Sequence, residues 1–190
     1  MNLIQNVLQA ILLKDASLQN IAQNEKFNTL SNLANLALGV AYGLFTILIN
    51  YDYIQSFQTE MLRTIFIPLF FITSGIIMMF ITKVGFMFLL WAGSRAFGGP
   101  GLMRVLNRMT GFILIPGVFA LPAFVHFSKG STPSVIALIA MIFALVWIYM
   151  LAVKSLIVSQ NLAAWKAYIA VIAVFTFFTS VYYLVIPPAS

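Results

Sequence analysis

The sequence predicts an all-α, polytopic membrane helical bundle of five transmembrane helices, with the N-terminus cytosolic and the C-terminus outside. The first observation is composition: 62% of the 190 residues are hydrophobic and 7% are charged, whereas a soluble domain carries about 25% charged residues. The second is the recurrence of apolar runs of about 20 residues, the length needed to cross a hydrocarbon layer of ~30 Å. The third is the grouping of basic residues in alternate connections. A water-soluble fold is therefore excluded.

The chain divides into a short N-terminal segment, residues 1–29, and a transmembrane domain, residues 30–190. In the first 14 residues, apolar side chains recur at helical spacing, opposite amides rather than lysines; they are Leu3, Ile4, Val7, Leu8, Ile11 and Leu12. We expect this amphipathic helix to lie on the membrane surface, on the bundle or on a partner.

Five stretches have the length and hydropathy of membrane spans. They are residues 30–50, 65–93, 106–127, 134–153 and 165–186. The third is the least regular, because it begins with Asn107 and Arg108 and contains Pro116 and Pro122. Each proline removes a backbone hydrogen bond and crowds the preceding turn. We therefore expect the third span to be kinked or partly unwound at its prolines.

Orientation follows from the basic residues that flank the predicted spans. Seven lie on one side: Lys14, Lys26, Arg95, Arg104, Arg108, Lys154 and Lys166. The other side has two, Arg63 and Lys129. Because Lys and Arg are retained in the cytosol, this distribution predicts a cytosolic N-terminus and an external C-terminus.

Lys83, the tenth basic residue, lies inside the second predicted span. If that span begins at Ile65, Lys83 lies about 27 Å further along the helix, close to the cytosolic boundary. A lysine at this depth can extend its ammonium to the headgroups. We therefore interpret Lys83 as a boundary cation, with a buried functional cation as the alternative.

The sequence offers no catalytic, cofactor or metal site. No acidic residue falls in a predicted span, whereas cation-coupled transporters usually keep a carboxylate at the midplane. His126 is the only histidine, and the chain has no cysteine to complete a metal site. Ser74 and Ser180 have no predicted base to activate them. We therefore expect no enzyme. The positive charge is read as a topology signal, which indicates no nucleic-acid partner.

One motif stands out, a glycine-rich turn after the second span. It comprises Arg95, Phe97, Gly98, Gly99, Pro100 and Gly101 and is followed by Arg104 and Arg108. Glycine permits backbone angles that are closed to other residues, and proline stops the helix. The arginines either set topology or contact lipid phosphate or an acidic partner. We take this motif as the candidate contact site.

This motif resembles the Yip family, the Yip-one-domain membrane proteins named for interaction with Ypt/Rab GTPases. The resemblance covers about residues 30–186. It rests on Trp91, Arg95, Phe97, Gly98, Gly99, Gly101, Arg108, Gly111, Pro116, Trp147 and the stretch from Lys154 to Lys166 and Ala167. The family's five-span topology, with the N-terminus in the cytosol, is the one predicted above from charge.

The resemblance implies a non-enzymatic membrane scaffold or adaptor that binds lipids, other membrane proteins or a second copy of itself. Eukaryotic members engage GTPases and carry a long N-terminal region, whereas this chain has only about 29 residues there. That difference argues against GTPase binding and indicates a minimal bacterial member in the cytoplasmic membrane. Some bacterial relatives look like accessory partners of export systems, and the resemblance implies such a role here. The alternative is a lipid or small-molecule transporter or scramblase that uses the span broken by Pro116 and Pro122.

Overall fold

The computed structural model describes residues 2–128 and 132–185, and all regular secondary structure in these ranges is helical. In chain order the helices are α1 (Leu3–Ile11), α2 (Asp15–Gln23), α3 (Phe27–Ile49), α4 (Tyr51–Gln55), a π-helical turn (Leu62–Phe66), α5 (Ile67–Ala96), α6 (Met103–Ile113), a 3-10 segment (Ile115–Ala120), α7 (Leu121–Ser128), α8 (Val135–Gln160) and α9 (Ala164–Val185).

Four helical stretches are long and apolar enough to cross a membrane: Phe27–Ile49, Leu62–Ala96, Met103–Phe124 and Val135–Gln160. Within the described residues, α9 contributes a shorter apolar stretch, Ala164–Ser180. The chain thus has the helices of a multi-pass membrane protein. The end of the fifth predicted span and Lys129 lie outside the described residues, so the fifth crossing stays a prediction.

The helix of the fourth span is longer than the predicted 134–153, because it continues to Gln160. Hydropathy marks the part of a helix that matches the bilayer and does not mark where the helix ends. The end comes at Asn161, whose φ of 54° lies in the left-handed region. Asparagine tolerates this conformation and commonly ends helices.

The third span is broken and lies at the centre of the bundle. A 3-10 segment containing Pro116 separates α6 from α7, and the Gly117 N–H donates to the Leu114 carbonyl oxygen at 2.9 Å. In the apolar window of this span, 61% of residues are buried, against 17%, 6% and 28% in the other three candidate spans. The break therefore occurs at Pro116, in the best-packed part of the molecule, whereas Pro122, the other predicted position, lies in the first turn of α7.

Helices α3 and α5 pack antiparallel with their backbones in close contact. A Cβ atom added at Gly39 would lie 2.6 Å from the Cα of Ile76, and one at Gly43 would lie 2.5 Å from the Cα of Ile72. Small residues permit this approach, and they are typical of helix interfaces in membranes. Because the helices are antiparallel, this pairing brings residues near the start of α3 against residues in the later part of α5.

The N-terminal segment forms a helical hairpin that packs on α6 and α8. The sequence predicts the first helix but not α2. In α1, Asn6 and Ala10 are buried, whereas Ile4, Leu8 and Leu12 are exposed. The hairpin thus packs through the small and polar face of α1 and turns larger apolar side chains away from the bundle.

Candidate functional site

The glycine turn ends α5 with a pair of backbone hydrogen bonds. The Gly98 N–H donates to the Arg95 carbonyl oxygen at 3.1 Å, and the Gly99 N–H donates to the Ser94 carbonyl oxygen at 2.8 Å. This is the Schellman arrangement, which requires a left-handed residue directly after the helix. Gly98 supplies it with a φ of 87°. The first two glycines of the motif therefore have a local structural role.

Arg95 folds back over the second half of the turn. Its Nη1 donates to the Pro100 carbonyl oxygen at 3.4 Å. Gly101 has a φ of 66°, and a Cβ atom there would collide with the Arg95 side chain and approach Trp91 Nε1 to 3.0 Å. Gly101 is therefore needed both for its backbone angle and for the space that Arg95 occupies.

The end of α8 and the start of α9 also form hydrogen bonds to this turn. The Leu102 N–H donates to Gln160 Oε1 at 2.8 Å, and Gln160 Nε2 donates to the Leu102 carbonyl oxygen at 3.4 Å. Lys166 Nζ donates to the Phe97 carbonyl oxygen at 3.2 Å. Sequence reasoning missed Gln160, a 1% exposed amide whose only sequence signal is a polar side chain at the end of a long apolar helix.

Arg108 is buried, with 6% of its surface exposed. Its Nη1 donates to the carbonyl oxygens of Ile21 at 3.2 Å and Ala22 at 2.7 Å. These carbonyls lie in the last turn of α2, where helices leave acceptors without an internal partner. Arg108 therefore supplies the hydrogen-bond donor for carbonyl oxygens at the end of α2 and is not a freely exposed surface cation.

Two residues of α8 hold the link between α1 and α2. Trp147 Nε1 donates to the Ile11 carbonyl oxygen at 2.8 Å. Lys154 Nζ donates to the Leu13 carbonyl oxygen at 2.9 Å and pairs with Asp15 Oδ1 at 2.6 Å. With Arg108, they attach the hairpin to the third and fourth spans. No sequence pattern predicts this attachment, because every acceptor except Asp15 is a backbone carbonyl.

The three arginines of the motif therefore have different surroundings. Arg95 covers the turn, Arg108 is buried against α2, and Arg104 is exposed at the start of α6. In the part of the chain that the structure describes, the Arg104 side chain has no hydrogen-bond or ion-pair partner. The three do not form a single exposed cationic patch, although all lie at the end of the bundle that carries the glycine turn. We call this end the basic end.

Arg104 and Arg108 line an open polar groove of about 340 Å³ at the basic end. Its other lining residues are Glu25, Asn28, Thr29 and Asn107. Asn107 Nδ2 donates to Asn28 Oδ1 at 3.3 Å and so joins α6 to the first turn of α3. The groove was not predicted, because its walls come from chain segments almost 80 residues apart.

The structure corrects the interpretation of Lys83 as a snorkelling cation. The side chain is 1% exposed, and Nζ donates to Asn32 Oδ1 at 2.5 Å. The close pairing of α3 with α5 covers the lysine and places an amide oxygen within its reach. One helical turn further along α3, Asn35 is 0% exposed, and neither its amide oxygen nor its nitrogen has a partner. Lys83 is therefore a buried cation with a neutral partner.

The surroundings of the third span contain little free space. A void between the hairpin and the spans, lined by Ala10, Ile113, Leu151 and Ser155 among others, has a volume of about 10 Å³. This is about the space of one water molecule. In the described residues, no three of His, Cys, Asp and Glu cluster to hold a metal ion. This void is too small to form a polar route between the hairpin and the spans, and the described residues hold no cluster of three such side chains for a metal ion.

Comparison with known proteins returned no matching family model, no matching curated protein and no matching solved structure. The resemblance to the Yip family stays a prediction from the residues.

Proposed function

We propose that this chain is a non-enzymatic scaffold or adaptor of a bacterial cytoplasmic membrane, similar to the Yip family. It crosses the bilayer five times, with the N-terminus and the basic end in the cytosol and the C-terminus outside. It acts by binding lipids, membrane-protein partners such as an export system, or a second copy of itself.

The observation that carries this proposal is the burial of the broken third span. A transporter or scramblase using Pro116 and Pro122 needs a wet path beside them, since polar groups cannot cross hydrocarbon without partners. Instead, Pro116 is buried, Pro122 is half-buried, and the neighbouring Ala120 and Ala123 are 2% and 0% exposed. A packed centre favours a rigid body that presents surfaces over a protein that conducts a substrate.

The surface best placed for a partner is the outside of the glycine turn. Leu102 is an exposed apolar residue two positions before Arg104, whose side chain is also exposed. Hydrogen bonds with Gln160 and Lys166 hold the backbone of this turn in place. A rigid backbone costs little further entropy on binding, so such a surface suits stable contacts.

The hairpin has a second role in this proposal, as an amphipathic element in the cytosolic leaflet. Trp147 lies 12 residues after the start of α8, which is about 18 Å along the helix. A hydrocarbon layer of ~30 Å would then continue beyond the contact between Trp147 and Ile11. At that depth the exposed Ile4, Leu8 and Leu12 face acyl chains rather than water.

Single-cysteine labelling tests the topology, because the natural chain contains no cysteine. Leu102 and Ser134 are both exposed, and they lie before and after the third candidate span. In intact cells, a membrane-impermeant maleimide should label Ser134→Cys directly and Leu102→Cys only after permeabilisation. The reverse pattern would refute the proposed orientation.

A reconstitution experiment tests the scaffold against the transport alternative. Purified protein in vesicles with labelled lipids should leave lipid asymmetry at the level of protein-free vesicles. Scrambling that disappears in the Pro116→Ala and Pro122→Ala variants would refute the scaffold. Co-purification in mild detergent, with and without Arg104→Gln, would then identify the partner that the turn binds.

A further inference from the structure

The polar groove at the basic end contains opposite charges that are not paired with each other. Glu25, Asn28, Thr29 and Arg104 form its exposed rim, and Asn107 and Arg108 form its floor. The one ion pair among the described residues joins Asp15 to Lys154, outside the groove. Glu25 and Arg104 thus leave a carboxylate and a guanidinium free on the same groove.

The floor provides a further unused donor. The Nε atom of Arg108 is buried and has no hydrogen-bond partner, although Nη1 donates to two carbonyls of α2. A buried donor without a partner costs free energy, and the Arg108 side chain that carries it lines the groove. Bonding to α2 also fixes the guanidinium in place, so its orientation does not depend on a ligand.

The position of the groove matches the depth of lipid headgroups. Asn28 and Thr29 lie in the first turn of α3, and Arg104 lies in the first turn of α6. Both helices begin candidate membrane spans at this level. The N-terminal end of α3 adds a positive potential, because the peptide dipoles of a helix sum toward that end.

We infer that this groove binds the zwitterionic headgroup of an amine-bearing phospholipid, phosphoethanolamine. The phosphate oxygens accept hydrogen bonds from Arg104 and Arg108, since guanidinium groups match phosphate geometry. The ammonium donates to the Glu25 carboxylate, and Asn28 and Thr29 lie between the two charges. This assignment rests on the proposed function, because it requires the basic end to lie at a membrane surface.

Both charges of the groove decide the choice of headgroup. A purely anionic headgroup would satisfy the arginines but leave the carboxylate of Glu25 facing phosphate, which repels it. A choline headgroup carries a positive charge but has no N–H to donate to that carboxylate. Phosphoethanolamine supplies a phosphate for the arginines and a hydrogen-bonding cation for Glu25.

Native mass spectrometry of the full chain released from detergent can test this inference. The probes are phosphatidylethanolamine, phosphatidylcholine and phosphatidylglycerol with identical acyl chains. We expect phosphatidylethanolamine to bind about tenfold more tightly than the other two, a difference expected for one well-placed charged contact. Arg104→Gln should lower the affinity for phosphatidylethanolamine about tenfold. Glu25→Gln should abolish the preference for phosphatidylethanolamine over phosphatidylglycerol.

The matched control is Lys26→Gln, which removes an exposed cation from the same end that does not line the groove. It should leave the headgroup preference unchanged. Equal losses in Lys26→Gln and Arg104→Gln, or binding that ignores the headgroup, would overturn the inference. Glu25 and Arg104 are exposed, so gel filtration and helical circular dichroism should show both variants folded.

Soluble glycerophosphoethanolamine distinguishes a lipid from a free phosphate ester as the source of this chemistry. We expect it to compete only weakly, because it lacks the acyl chains that hold a lipid beside the groove. Binding as tight as that of the lipid would overturn the lipid assignment. Correct topology in the cysteine labelling without headgroup selectivity would refute this inference alone and leave the proposed function standing.

Discussion

Arg108 donates from Nη1 to the carbonyl oxygen of Ala22, 2.7 Å away, and so joins the third span to the end of the N-terminal hairpin. The bond crosses 86 residues of sequence. Sequence patterns assign Arg108 to topology or to surface contact, whereas in the structure it links two distant segments of the chain.

Replacing Arg108 by leucine should loosen the hairpin. The substitution leaves the carbonyl oxygens of Ile21 and Ala22 without their donor, and hydrogen bonds to charged groups contribute about 1.5–3 kcal/mol each. Because two such bonds are lost, we expect the free energy of unfolding to fall by about 3 kcal/mol or more, measured by denaturant titration in micelles. Arg104→Leu is the control, because its side chain is exposed and should change stability by less than about 0.5 kcal/mol. Equal losses in the two variants would contradict the link.

Two glycines of the α5 region should respond to alanine in opposite directions. Gly98 has a φ of 87°, and an L-residue in the left-handed region costs about 1–2 kcal/mol. Gly85 is helical, and a Cβ atom there would meet nothing within 4 Å. Gly98→Ala should therefore lower the unfolding free energy by about 1 kcal/mol, whereas Gly85→Ala should raise it by about 0.5–1 kcal/mol. A stabilising Gly98→Ala would rule out the Schellman turn.

The pair formed by Lys83 and Asn32 should be asymmetric. Asn32→Leu leaves a buried ammonium without an acceptor, and breaking a buried charged interaction costs about 3–5 kcal/mol. Lys83→Met leaves only a neutral amide unpaired, which costs about 1–3 kcal/mol. Unfolding measurements should therefore show the larger loss in Asn32→Leu. If Lys83 instead reached the headgroups, Asn32→Leu would have almost no effect.

The elements that were predicted correctly are those marked by a local pattern in the sequence. Apolar runs mark the helices of the four candidate spans, and Gly98 and Gly101 mark a turn whose backbone angles require glycine at those two positions. Pro116 marks the break in the third span, because the missing N–H acts on its own helix. Each of these signals depends on residues close together in sequence.

The elements that sequence reasoning missed depend on contacts between distant segments. Lys83 looks like a boundary cation until α3 covers it and supplies Asn32. Gln160 and Trp147 bind backbone groups of Leu102 and Ile11, and a backbone acceptor leaves no mark in a sequence. The groove likewise needs Glu25 and Arg104 brought together from two helix starts.

Cysteine accessibility in the third span tests most directly whether this protein is a closed bundle. Ala123 is 0% exposed, and Leu102 is exposed at the basic end. Single cysteines at the two positions, in the otherwise cysteine-free chain, can be reacted with a small water-soluble thiol reagent in native membranes. The account predicts rapid modification of Leu102→Cys and modification of Ala123→Cys only after denaturation. Rapid modification of Ala123→Cys in the folded protein would reveal a wet path along the third span and contradict the scaffold.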